Sequence, residues 1–154
     1  MREKLLSIGD DFWIENEQGE RAYKVNGKAL RVRQTFVLED TSGAEVAKIQ
    51  EKKLTVRDKM AIERGGDAAA TVRKALVGIR DRFAIDVEHG EDMKAHGNVL
   101  DHEYEIERDD DTVATISKKW FRVRESYGVD IAAGEDVALI LAITIAIDAL
   151  TSRD

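Results

Sequence analysis

Short runs in which apolar and polar residues alternate make up most of this chain. The clearest run is Glu103–Glu107, and turn-forming clusters such as Asp40–Gly43 and Asp109–Asp111 separate such runs. By the same reasoning, Asn26-Gly27 and Ala95–Asn98 are predicted to be turns. About a dozen strands are predicted, at a spacing of roughly 8–12 residues. This pattern is typical of a β-sandwich or a β-barrel.

The segment from Val137 to Leu150 gives conflicting signals. Large apolar residues occupy every odd position from Val137 to Ile147, whereas most even positions hold alanine or a polar residue. That period of two favours a strand. The uninterrupted length favours a helix, and so do Glu135 and Asp136, which suit the positive end of a helix dipole. The residues by themselves leave both structures open.

The composition narrows the classes of protein. The chain has 154 residues, a length typical of one domain, and its formal net charge is −7. The acidic balance argues against a dedicated nucleic-acid binder, which usually carries a basic field. The absence of cysteine excludes disulfides, thiolate metal sites and cysteine nucleophiles. The absence of proline is compatible with a chain dominated by strands.

The sequence also indicates where in the cell the protein is expected to be found. Met1–Lys4 is charged and acidic residues follow at Asp10 and Asp11, so the apolar run of a secretory signal is missing. The longest apolar run, Val137–Ile147, is shorter than the roughly 20 residues that a membrane span requires. We therefore expect one cytoplasmic domain, residues 1–154, without a transmembrane segment.

A weak internal repeat relates two parts of the chain. Val46–Ile49 resembles Val113–Ile116, and the same offset aligns Val56–Asp58 with Val123–Glu125. The repeat predicts two related β-rich halves, although alternating strands also resemble each other by chance.

The tail of the chain resembles a known family. Ser126–Ile131, Val137–Ala142 and Ala146–Asp148 together are similar to the closing block of the LURP-one-related family. Upstream, Ile116–Phe121 and Asp40–Ile49 resemble strands and turns of the same family. The resemblance covers nearly the whole chain.

The resemblance implies a fold. Members of this family resemble the tubby C-terminal domain and the phospholipid scramblases, whose fold is a closed antiparallel barrel of about twelve strands that encloses one central hydrophobic C-terminal helix. By this analogy residues 135–150 form the helix, since a helix that is apolar on all sides must be enclosed on all sides. Asp148 would then lie at the mouth of the barrel, where its charge can reach water or a cation.

The resemblance leaves three classes of function. We expect a non-enzymatic binding or scaffold protein, with a protein or an anionic lipid as its partner. The alternative is binding of an anionic lipid or a phosphoinositide-like headgroup at a membrane surface, since tubby domains bind such headgroups through basic residues. A second alternative is an enzyme with a metal or carboxylate site. The sequence predicts no catalytic, cofactor-binding or metal-binding residue, and we expect no cofactor.

Two basic stretches provide the candidate binding residues for an anion or a lipid, and Trp120 and Phe121 lie within the second stretch. The candidates are Lys52, Lys53, Arg57, Lys118, Lys119, Arg122 and Arg124. Basic side chains beside aromatic rings can hold a phosphate headgroup, although runs of charge more often form a solvated face. Because the two stretches need not share one face, we expect weak or absent binding to anionic vesicles at physiological salt.

The three histidines, His89, His96 and His102, all fall within one stretch that also contains several acidic residues. Imidazole and carboxylate groups are good ligands for divalent metals. The spacing nevertheless matches no familiar metal motif. We therefore expect histidines in loops that bind no metal, and melting that neither a chelator nor zinc changes.

Overall fold

A computed structural model describes residues 2–8, 11–28, 35–52, 59–75, 81–99, 101–118 and 127–151. These residues form twelve strands followed by one helix. The strands are β1 (Arg2–Ile8), β2 (Asp11–Glu15), β3 (Arg21–Lys28), β4 (Thr35–Asp40), β5 (Glu45–Lys52), β6 (Lys59–Arg64), β7 (Asp67–Ala75), β8 (Asp81–Val87), β9 (Met93–Asn98), β10 (Glu103–Arg108), β11 (Asp111–Ser117) and β12 (Tyr127–Ile131), and the helix is α1 (Val137–Thr151).

All strand pairs in the sheet are antiparallel. Each strand from β2 to β11 pairs with the strands that precede and follow it in the chain, and β12 pairs with β11. β1 pairs with β2, where Leu5 is opposite Ile14, and also with β12, where Leu5 is opposite Tyr127. The prediction of a mainly β, antiparallel fold is therefore confirmed.

The period of two in the sequence corresponds to the two faces of this sheet. In β10, Tyr104 and Ile106 are buried and the glutamates between them are not; in β6, Met60 and Ile62 are buried in the same way. Successive side chains of a strand point to opposite faces, so one face of the sheet carries the apolar core. The helix α1 packs on that inner face and approaches β5, β6 and β7 most closely.

Residues 137–151 are a helix, which confirms the structure implied by the family resemblance where the residues by themselves left strand and helix open. Ile140 to Ile147 are all buried, so the helix is surrounded on every side. The residues at even positions explain why the sequence of this helix shows the period of two that is typical of a strand. Ala138, Ala142 and Ala146 recur every four residues on one face, and Ile140, Thr144 and Asp148 do so on the opposite face.

Two predicted turns lie inside strands. Asn26 and Gly27 belong to β3, where Asn26 is opposite Val37 and its amide donates to Glu39. Residues 95–98 belong to β9, with Ala95 buried and His96 opposite Glu105 on β10. Local turn chemistry was outweighed in both cases by pairing with the neighbouring strands.

Candidate functional site

The connections at the two ends of the sheet differ in charge. At one end, segments 16–20, 41–44, 65–66, 88–92, 109–110 and 132–136 join consecutive elements and contain nine acidic residues and no lysine or arginine. The other end of the sheet is where the odd-numbered strands finish. In the sequence, the segments that follow these strands, 9–10, 29–34, 53–58, 76–80, 99–102 and 118–126, contain nine lysines and arginines and four acidic residues, and most of these segments lie outside the described part of the chain. We call these the acidic end and the basic end.

Two of the predicted binding residues, Lys52 and Lys118, lie at the basic end. Lys52 is the last residue of β5 and Lys118 follows β11 directly, and both side chains are exposed. Odd-numbered strands all run in one direction, so β5 and β11 finish at the same end of the sheet. The structure therefore brings these two lysines to one end. The other candidates, Lys53, Arg57, Lys119, Arg122 and Arg124, lie outside the described residues.

The internal repeat agrees with this arrangement. Its offset relates the strand of Val46–Ile49, β5, to the strand of Val113–Ile116, β11. It also relates β6, which contains Ile62, to β12, which contains Val129. In both cases the offset is six strand positions, which is half of the twelve strands described. The two basic stretches thus follow corresponding strands, β5 and β11.

Glu103 accepts hydrogen bonds from the residues at the start of the second basic stretch. Its carboxylate accepts hydrogen bonds from the Ser117 hydroxyl at 2.8 and 3.0 Å and from the Lys118 backbone N–H at 3.0 Å. The Ser117 side chain is buried, so its hydroxyl requires such a partner. These bonds fix the direction in which the chain leaves β11 toward residues 119–126.

A polar network occupies the end of α1 that faces the basic end. The carboxylate of Asp148 accepts a hydrogen bond from the Tyr127 hydroxyl at 2.8 Å, and its other oxygen lies 2.8 Å from Nε2 of His102. The rings of His102 and Tyr127 stack, with their centroids 4.2 Å apart. The side chain of Asp148 is 35% exposed. The prediction that its charge can reach water is consistent with this exposure.

The network strongly perturbs two tyrosines. Burial raises the pKa of Tyr104 well above its usual value, and the negative charge of Asp148 raises it further, while the Thr144 hydroxyl opposes the shift. Burial and the Asp148 charge likewise raise the pKa of Tyr127. The Tyr104 hydroxyl oxygen is buried and makes no hydrogen bond among the described residues. Both phenols therefore stay neutral far into the alkaline range.

His102 has no ring nitrogen left for a substrate. Its Nε2 bonds Asp148, and its Nδ1 is buried without a partner among the described residues. A proton on Nδ1 would be a buried donor without a partner, which is costly, whereas Nε2 faces the carboxylate of Asp148. A general base needs a nitrogen that a substrate can approach. The pair thus joins the helix to the segment between β9 and β10.

The three histidines are not brought together. His89 is exposed in the turn between β8 and β9 at the acidic end, and His102 lies at the basic end. His96 lies on the outer face of the sheet, where Nε2 is 2.8 Å from a carboxylate oxygen of Glu107. Glu105 is directly opposite His96 in the sheet. Alternation with the buried residues Met93 and Ala95 was the sequence signal that could have placed His96 on a strand.

Gly97 allows β9 and β10 to approach each other beside this group. Its φ is +134°, a conformation that residues with a side chain rarely adopt. A Cβ at this position would lie 2.8 Å from both the Glu103 carbonyl oxygen and the Tyr104 Cα. Any other residue would push β10 away from β9 at the point where His96 and Glu105 are paired.

Short hydrogen-bonded turns order the acidic end. The Asp40 carboxylate accepts bonds from the Ser42 hydroxyl and from the backbone N–H groups of Ser42 and Ala44, which lower the pKa of Asp40. Arg108 pairs with Glu135 at 2.9 Å and so joins β10 to the segment before α1. A hydrogen bond and the charge of Asp109 raise the pKa of Glu91.

Comparisons with known proteins place this geometry in context. The sequence model of a family described as LURP-one-related matches residues 1–148. The X-ray structure of a protein from Arabidopsis thaliana is similar over 97% of this chain and 90% of its own, with a TM-score of 0.75 and 19% sequence identity. At that identity the likeness shows the fold alone. A search of curated proteins found no match. Within the described residues, no helix has both the length and the apolar character needed to cross a membrane.

Proposed function

The chain belongs to the LURP-one-related family, and from that premise we propose that it is a non-enzymatic binding module whose basic end docks on an anionic lipid surface. The family match confirms the resemblance seen in the tail of the sequence. The observation that carries the proposal is the separation of charge between the two ends of the sheet. In a protein with a net charge of −7, the segments that follow odd-numbered strands contain nine of the 24 lysines and arginines, whereas the segments that follow even-numbered strands contain none.

The separation of charge matters because salt screens charges over a short distance. The Debye length is about 8 Å at physiological ionic strength. A strand of eight residues such as β3 is roughly 26 Å long, since each residue adds about 3.3 Å. An anionic surface that contacts the basic end is therefore screened from most of the acidic end. The net charge of the whole chain does not decide the interaction.

The strength of such docking follows from the number of bases that reach the surface. Each lysine or arginine near an anionic membrane contributes about 1 kcal/mol. Weak binding was expected from sequence because the two basic stretches need not share a face. The strand ends that flank both stretches, including Lys52 and Lys118, lie at the same end of the sheet. This arrangement supports measurable binding at low salt.

The inner face of the sheet supports a non-enzymatic role. The helix occupies it with side chains such as Leu141, Ile143 and Ile147, which are fully buried. Both ring nitrogens of His102 are either hydrogen-bonded or buried. Ligand contact is therefore expected at the ends or on the outer face of the sheet.

Vesicle sedimentation tests the proposal. The protein is mixed with vesicles containing phosphatidylserine, and with neutral phosphatidylcholine vesicles, at about 50 and 200 mM salt. We expect binding to the anionic vesicles at low salt, a loss of binding at high salt, and at least a threefold weaker interaction for Lys52→Ala/Lys118→Ala. The triple variant Lys118→Ala, Lys119→Ala, Arg122→Ala should bind more weakly still.

The matched control is Lys48→Ala/Lys94→Ala, which removes the same charge away from the basic end. It should bind like the wild type, with circular dichroism showing that all variants are folded. Equal weakening by both double variants would mean that net charge, and not the basic end, controls binding. No binding to either vesicle at low salt would contradict the lipid proposal and favour a protein partner.

We also propose that the sheet is a closed barrel around α1, as in the fold that the family resemblance implies. The pairing of β1 with both β2 and β12 supports closure. Arg2 is opposite Asp130 in that pairing, and the natural chain contains no cysteine. Arg2→Cys/Asp130→Cys should therefore form an intramolecular disulfide on oxidation, whereas Arg2→Cys/Asp86→Cys should not. Absence of the first disulfide in folded protein would contradict closure.

A further inference from the structure

We propose that His96, Glu105 and Glu107 bind a divalent metal ion of the zinc class on the outer face of β9 and β10. Their potential ligand atoms, one from each residue, all lie within 4.8 Å of one another. His96 and Glu105 are a directly opposed pair in the sheet, and Glu107 follows on the same face two residues along β10. The site is separate from the basic end and from the network around Asp148.

The distances are close to those that a bound ion requires. A tetrahedral ion with bonds of about 2.0–2.1 Å holds its ligand atoms about 3.3 Å apart. His96 Nε2 and Glu107 Oε1, at 2.8 Å, would separate slightly, and the Glu105 carboxylate would move inward. Glutamate side chains make such adjustments by rotation alone. A register shift between β10 and β11 beginning at Glu107 is a local bulge, a feature that changes the aim of neighbouring side chains.

The donor set indicates the class of metal. One imidazole nitrogen and two carboxylate oxygens suit Zn²⁺ and its transition-metal neighbours, whereas Ca²⁺ and Mg²⁺ prefer oxygen alone. Two ionised glutamates next to each other repel, and a dication between them would neutralise both charges. The hydrogen bond between His96 and Glu107 already aligns two of the three ligands in the absence of metal.

Solvent can reach the proposed site, although its backbone is held in place by the sheet. The side chain of His96 is 37% exposed and that of Glu107 is 16% exposed. A metal can therefore enter from solvent, and part of its coordination sphere would remain open to water or to an external ligand. Both strands belong to a continuous sheet, which holds the backbone positions of all three residues in place.

Positively charged side chains next to the site should lower its affinity for a metal ion. Lys94 precedes His96 on the same face, and its ammonium group lies 3.5 Å from Asp110, with which it forms an ion pair. Arg82 on β8 is opposite His96 and is exposed. Arg82 is directly opposite one proposed ligand and Lys94 is directly opposite another, Glu107, so both positive charges should weaken metal binding. Arg82→Gln is therefore expected to raise the affinity for the metal. If the metal bound adventitiously elsewhere on the surface, this substitution would leave the affinity unchanged.

Isothermal titration of the purified, chelator-treated protein with Zn²⁺ tests the site. We expect one ion per chain and a rise in melting temperature, because a ligand that binds only the folded state stabilises it. Glu105→Gln keeps the His96–Glu107 hydrogen bond and removes a ligand. It should reduce Zn²⁺ affinity at least about tenfold, since loss of a mere outer-shell partner of a ligand already costs about 10–100-fold. His96→Gln should have the same effect, and Ca²⁺ at the same concentration should give no heat.

His89→Gln is the matched control, since it removes a histidine from an exposed turn near acidic residues. It should leave Zn²⁺ affinity unchanged. Binding that survives both Glu105→Gln and His96→Gln would overturn the proposal, as would the absence of heat with Zn²⁺ in the wild type. Co²⁺ provides a second readout, because its visible spectrum reports the loss of a nitrogen ligand in His96→Gln even if that variant is less stable.

Discussion

Two histidine–carboxylate pairs of the same length have different roles in this protein. His102 and Asp148 meet between the sheet and the helix, and His96 and Glu107 meet on the outer face, each at 2.8 Å. Around the inner pair, Tyr127 bonds the second carboxylate oxygen and the other ring nitrogen is buried. Around the outer pair, a second carboxylate, that of Glu105, lies within reach. The surroundings, and not the bond length, decide whether such a pair fastens the fold or can bind a ligand.

The contact between His102 and Asp148 fixes the rotation of α1 about its own axis. Apolar side chains cover most of α1, so apolar contacts alone distinguish its rotational settings weakly. Thr144 and Asp148 form the polar part of one face, and Asp148 meets Tyr127 and His102. The opposite face carries the small residues Ala142 and Ala146, which are fully buried. We infer that the polar contacts select one setting of the helix, a use of buried polar groups known from other folds.

The largest effect should come from placing a charge at the centre of the inner region. Ile143 is fully buried in α1, and Ile143→Asp would bury a charge that no partner neutralises. Its cost should exceed a typical stability of about 5–15 kcal/mol, so we expect an unfolded or insoluble product. Removal of the chain from Glu135 onward should have the same result. Ala133→Asp, in the exposed turn before the helix, is the control that should fold.

A smaller effect should distinguish the inner pair from the outer one. Asp148→Ala leaves the Tyr127 hydroxyl and Nε2 of His102 without their partner, and each unsatisfied buried group costs about 1–3 kcal/mol. Glu107→Ala should cost less than about 1 kcal/mol, because water can replace the lost partner of His96. Denaturant unfolding of both variants checks the difference. Equal losses would show that the outer pair also fastens the fold.

The strands were predictable because one face of each is buried, and burial imposes the period of two seen at Tyr104 and Ile106. The helix was not predictable locally, because its alanine face and its polar face both fall on even positions. His96 was predicted to lie in a turn, since a glycine and an asparagine follow it; Gly97 in fact serves the close approach of β10. Glu105 and Glu107 were missed as partners of His96 because pairing between strands is not visible in one sequence.

Alkaline pH should test the inner region alone. Burial and the Asp148 charge raise the pKa values of Tyr104 and Tyr127 in the folded state, above about 10 in an unfolded chain. The resulting stability is fully present below pH 10 and is lost as the pH rises toward the folded-state values. We expect both phenols to ionise only as the protein unfolds. In a Tyr23→Phe background, which removes the third tyrosine, this should appear as coincident changes in absorbance at about 295 nm and in circular dichroism. Ionisation well before unfolding would show that solvent reaches the network.

The smallest effect should come from Tyr104, whose hydroxyl is buried without a hydrogen bond among the described residues. The nearby Thr144 hydroxyl donates to the Ile140 carbonyl at 2.9 Å and so has no second proton to offer. Tyr104→Phe removes a polar group that the fold leaves unsatisfied, and we expect stability to stay the same or to rise by up to about 1 kcal/mol. Tyr127→Phe is the matched comparison, since it removes a hydroxyl that does donate to Asp148, and it should lower stability. A loss of about 1 kcal/mol or more in Tyr104→Phe would mean that an ordered water satisfies this hydroxyl, and that the network extends deeper along the helix than Asp148.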